Sequence, residues 1–95
     1  MLAIARAMMT NPSVLLLDEP MEGLAPVVVQ AVVKVIEDLV RSSEFAVIIV
    51  EQHARLALRL TTQAIVLDRG RVVHAASSDE LLTDTALLDR LVALA

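Results

Sequence analysis

The chain is 95 residues long, 57% hydrophobic and 1% aromatic, with 8 Lys and Arg against 12 Asp and Glu, a formal net charge of -4, and no cysteine. This excludes disulfides and thiolate metal sites, and the acidic balance without a Lys/Arg cluster argues against nucleic acid or an anionic membrane surface as partner. The length allows one domain and no more, with a core of Val, Leu, Ile and Ala that buries roughly 60 to 65% of the unfolded surface.

Leu2 to Met9 is predicted helical, and no N-cap residue precedes it. Arg6 inside this apolar stretch and the Thr10-Asn11-Pro12-Ser13 turn after it set the N-terminus apart from a signal peptide. Val14-Leu15-Leu16-Leu17-Asp18 then reads as a strand buried on both faces of a parallel sheet, delivering Asp18 and Glu19 to its carboxyl end. In open α/β sheets ligands bind just beyond those ends. Adjacent acids there suit a metal-bound phosphate, one holding the Mg²⁺ shell while the other orients and deprotonates a water. On its own the pattern fits a solvated acidic turn equally well.

After Pro26, which a first helical turn tolerates, Val28, Val32, Val35 or Ile36, and Leu39 recur at helical spacing to Arg41, with Lys34, Glu37, Asp38 and Arg41 on the polar face. The many β-branched residues make this a poor intrinsic helix former, so packing on the sheet must hold it. Ser42-Ser43-Glu44 turns into a second apolar strand, 45–50, which is also the longest uninterrupted apolar run and far short of the roughly 18 residues of a membrane span. A right-handed parallel crossover would bring Glu51, Gln52 and His53 to the same sheet edge as Asp18 and Glu19. A lone His could equally be a surface or helix-capping residue.

A short helix follows over 55–60, then Gln63 to Leu67 and Arg71 to His74 as antiparallel strands joined through Asp68-Arg69-Gly70, with Gly70 supplying positive φ. His74 has no acid or second His at ligand spacing and reads as structural. Ser77 or Ser78 caps a helix whose first turn carries Asp79 and Glu80. Leu87, Leu88, Leu91 and Leu94 mark a last amphipathic helix, fit for core, a dimer face or a partner surface.

Four segments in order, Leu2 to Pro12, Val14 to Glu19, Glu22-Gly23-Leu24-Ala25-Pro26 and Val50-Glu51-Gln52-His53, resemble the nucleotide-binding subunits of ATP-binding-cassette (ABC) transporters over essentially the whole chain. In that family they are the helix leaving the signature loop, the Walker B strand with its catalytic Glu, the D-loop and the switch histidine. The wording of the last two is most similar to the ATPases of branched-chain amino acid importers. The resemblance implies the α/β fold of the C-terminal part of a P-loop NTPase, with parallel strands, flanking helices and a small antiparallel hairpin, over 1–95 as one partial domain. It implies ATP and Mg²⁺ as cofactors: Asp18 would hold the metal through water, Glu19 would be the general base, and His53 would sense the γ-phosphate. The D-loop, Glu22, Gly23, Leu24 and Ala25, would cross a dimer interface, although Ala25 stands where the family usually has Asp.

The same resemblance implies a second ATP-binding subunit and transmembrane permease subunits as partners, without direct membrane insertion. That places the chain in the cytoplasm, peripheral on the inner face of the cell membrane. The G-x-x-x-x-G-K-S/T phosphate loop that such a site needs is not among these residues, whose two glycines are Gly23 and Gly70. Neither are the adenine-stacking aromatic, the Gln loop and the Leu-Ser-Gly-Gly signature, which lie upstream in the family. Met1 would then fall inside a helix of a longer reading frame, and the chain by itself is expected to be inactive. With the phosphate-loop strand missing, strands 45–50 and 64–67 lose a neighbour and are expected to pair with each other, to dimerise or to aggregate. Two other functions compatible with the sequence are a stand-alone interaction or regulatory module and a non-functional remnant.

Overall fold

In the computed structural model, which describes residues 2–42 and 44–94, the chain divides after Gln52 into two compact units. The predicted turn residue Ser43 and the Met1 start lie outside the described residues, as does the side chain of Leu94.

The first unit runs helix α1 (Leu2–Met8), strand β1 (Val14–Asp18), helix α2 (Pro26–Ser42) and strand β2 (Ala46–Val50). The strands pair in parallel from Val14 opposite Ala46 to Asp18 opposite Val50, and a Glu19 N–H to Val50 carbonyl bond of 2.7 Å carries the ladder one residue further. Packing does hold α2: Val32 and Ile36, one turn apart, are 1% and 0% exposed. Lys34 with Asp38 and Glu37 with Arg41 form i,i+4 ion pairs at 3.4 and 3.6 Å on the solvent side, each contributing a few tenths of a kcal/mol. Val28, expected on the inner stripe, stays largely exposed in the first turn.

The expectation of strands buried on both faces is corrected. Leu15 and Leu17 are buried, whereas Leu16 is 70% and Ile48 50% exposed, with Val14 and Val50 on the same bare face. A parallel sheet needs helices on both sides, and this unit brings one long amphipathic helix, which covers one side only. The second strand also begins one residue later than expected, at Ala46, leaving Phe45 in the bend before it.

The second unit comprises helix α3 (Ala54–Leu60), strands β3 (Gln63–Asp68) and β4 (Arg71–Ser77), and helices α4 (Ser78–Thr83) and α5 (Thr85–Leu94). Arg69 and Gly70 both have left-handed φ, +50° and +78°, the combination that lets a two-residue turn follow the twist of an antiparallel pair. The register steps from Val66 opposite His74 to Leu67 opposite Val72, so Val73 is a bulge. Leu58, Leu81, Leu88 and Leu91 form the core, with Ala64, Val66 and Ala76 of the hairpin packed against it. Ser77 caps α4 as expected, accepting from the Glu80 N–H at 3.2 Å. The buried Ser78 hydroxyl is satisfied by Thr61 Oγ1 at 2.8 Å.

The capped helix and the last amphipathic helix are separated at Asp84, which ends α4 and whose carboxylate accepts from the Leu87 N–H at 3.1 Å, capping α5. Of the alternatives expected for the strands at 45–50 and 64–67, pairing with each other does not occur: β1 with β2 and β3 with β4 form separate two-stranded sheets.

Candidate active site at the carboxyl ends of the parallel strands

Strand β1 ends at Asp18, and the chain leaves it through Glu19 with φ +49°. Left-handed backbone at a residue other than Gly costs roughly 1–2 kcal/mol and persists only where surrounding structure holds it. Here both backbone groups of Glu19 are held. Its N–H donates to Val50 on β2 at 2.7 Å, and its carbonyl accepts from the Glu22 N–H at 3.2 Å in the following turn. Met21, 4% exposed, anchors that turn in the first unit's core.

The register sets the neighbour of Glu19. Asp18 faces Val50 across the parallel ladder, so one step on Glu19 meets Glu51, with the half-buried side of the sheet common to both. The hydrogen bond between these two carboxyl groups holds Glu19 above its ordinary proton affinity. Partial burial and the like charge of Glu51 push the same way, with a smaller push from Glu22, while a hydrogen bond from the Gln52 backbone opposes them. The Gln52 N–H also donates to Glu51 Oε1 at 3.1 Å. A carboxyl group with raised proton affinity is the better general base at neutral pH, so this pair has the chemistry of a water-activating site.

Asp18 is exposed at the end of β1, on the strand face of Val14 and Leu16. The loop residues Glu22, Gly23, Leu24 and Ala25 are exposed between β1 and α2, with Gly23 at φ +75°. His53 belongs to the second unit. It is exposed, its carbonyl accepts from the Leu56 and Ala57 N–H groups at 3.1 Å, and its side chain makes no capping hydrogen bond to α3. The predicted sheet edge is thus occupied within the first unit by Asp18, Glu19, Glu51 and Gln52.

Sequence reasoning brought Glu51 to this edge without a role. The run lengths do not signal one, since Val14 to Leu17 and Phe45 to Val50 differ in length, and the pairing follows from the register. Among the described residues no group of three His, Cys, Asp or Glu stands close enough to hold a metal ion. A lone exposed carboxylate nonetheless fits Mg²⁺, which keeps several waters and takes much of its coordination from substrate phosphates. The cavity of about 240 Å³ beside Asp18 is lined by Ala3, Ile4, Ala7, Leu15 and Val32 among others, and offers no phosphate cradle. No helix among the described residues is long and apolar enough to cross a membrane.

Comparison with known proteins returns ATP-binding proteins of transport systems. No protein-family model matches the chain. It is 46% identical over 89 residues to the high-affinity branched-chain amino acid transport ATP-binding protein BraG of Pseudomonas aeruginosa, covering 94% of this chain and 38% of BraG. It is 39% identical over 79 residues to the phosphonates import ATP-binding protein PhnC of Trichormus variabilis, covering 83% of this chain and 32% of PhnC. Among solved structures it resembles CbiO1 of Clostridium perfringens, described as part of the ABC transporter complex CbiONQ. That match has a TM-score of 0.76 and 25% identity, over 94% of this chain and 36% of CbiO1. The chain therefore spans about a third of the length of these proteins, and its α/β fold of parallel strands, helices and hairpin is that of the corresponding part of an ABC ATPase.

Proposed function

Because the chain is related in sequence and fold to the ATP-binding subunits of ABC transporters, we propose that it supplies the water-activating part of an ATPase site in an importer of branched-chain amino acids. The observation that carries this reading is the parallel register that sets Glu19 beside Glu51 at the carboxyl ends of β1 and β2. Glu19 is the general base, and its raised proton affinity suits it to take the proton of the attacking water. Asp18 would hold Mg²⁺ through water, where the ion would supply positive charge to the phosphates. His53 donates to a γ-phosphate oxygen, and Glu22, Gly23, Leu24 and Ala25 carry the contact to a second ATP-binding subunit.

The phosphate cradle comes from polypeptide outside these 95 residues, so the chain alone holds no nucleotide. Permease subunits keep the assembly on the cytoplasmic face of the membrane, a placement supported by the description of CbiO1 as part of a transporter complex. The names of the relatives differ in substrate. The 46% identity with BraG, against 39% with PhnC, favours branched-chain amino acids.

The test is a BraG chimera in which this chain replaces the matching segment. It is expected to release phosphate from Mg-ATP, to lose that release with Glu19→Gln, and to restore leucine uptake in cells lacking BraG. Release without uptake would sink the substrate and leave the ATPase standing. A folded chimera that releases no phosphate would sink both. Mg-ATP titrated calorimetrically into the 95-residue chain should give no heat, with or without Glu19→Gln, and micromolar binding would overturn the division of labour.

A further inference from the structure

We draw no further inference here: the strongest candidate, the bare apolar face that Val14, Leu16, Ile48 and Val50 present on the β1–β2 sheet, carries nothing because nothing in the structure shows what covers it.

Discussion

The chain holds two small sheets that reach left-handed backbone for opposite reasons. In the antiparallel one, Arg69 and Gly70 turn the hairpin, and the glycine takes the larger positive φ at no steric cost. At the end of the parallel one, the same region of backbone is occupied by Glu19, where a glycine would sit more easily. In the turn residue choice eases only the second position, since Arg69 at φ +50° carries the same cost as Glu19 at +49°. Strain kept under a carboxylate that faces another carboxylate points to a side chain needed for something other than folding.

The largest expected effects test the two cores on which the comparison rests. Ile36→Ala in the first unit and Leu81→Ala in the second should each cost about 2–5 kcal/mol, since both side chains are essentially fully buried. Amide hydrogen exchange should show the loss of protection in the unit that carries the substitution. A cost below about 1 kcal/mol at either site would mean that its unit lacks a formed core.

The backbone comparison is sharpened by paired substitutions of opposite sign. Glu19→Gly should raise the stability by about 1–2 kcal/mol, and Gly70→Ala should lower it by a similar amount. An added Cβ at Gly70 meets no atom within 4 Å, so the change there reads backbone conformation alone. Thermal melts of both variants decide the matter. A Glu19→Gly variant less stable than the parent would show that the carboxyl pair is a structural bond and the strain argument fails.

Smaller again, Ser77→Ala removes the side-chain acceptor of the Glu80 N–H and should cost about 1 kcal/mol by chemical denaturation. The last prediction concerns pH. A carboxyl group whose proton is held more tightly in the folded than in the unfolded chain stabilises the fold fully below the ordinary carboxylate range. It loses that contribution as pH rises through the raised folded value. Stability should therefore fall with rising pH through the titration of Glu19, and Glu51→Gln should flatten that fall by altering the carboxyl–carboxyl hydrogen bond and removing the neighbouring charge. Carbon-detected NMR titration of Glu19 should show its midpoint moving down toward the usual value in Glu51→Gln. An unmoved midpoint would mean that burial, not Glu51, sets it.

Much of this was legible in residue order. The alternation of apolar runs with an amphipathic stretch gave β1, α2 and β2 to within a residue or so, because Val32 and Ile36 at helical spacing outweigh the poor propensity of their neighbours. Ser77 and Gly70 announced a cap and a turn through backbone chemistry that needs no tertiary context. Asp84 before an apolar run is likewise a capping signal, in keeping with the two helices read on either side of it. Two things were hidden. The exposure of Leu16 and Ile48 could not be read from an apolar run, since apolarity states what a strand needs and not whether the chain provides it. Asp18 and Glu19 were legible as a pair at a strand end, whereas the partnership of Glu19 with Glu51 required the register.

The bare face of the first sheet bears on how long the molecule survives. Four aliphatic side chains held in a flat array look, to a chaperone or a protease adaptor, like a protein that has not finished folding, although this unit is as folded as its own residues allow. A gain in folding stability alone would leave that face as exposed as before.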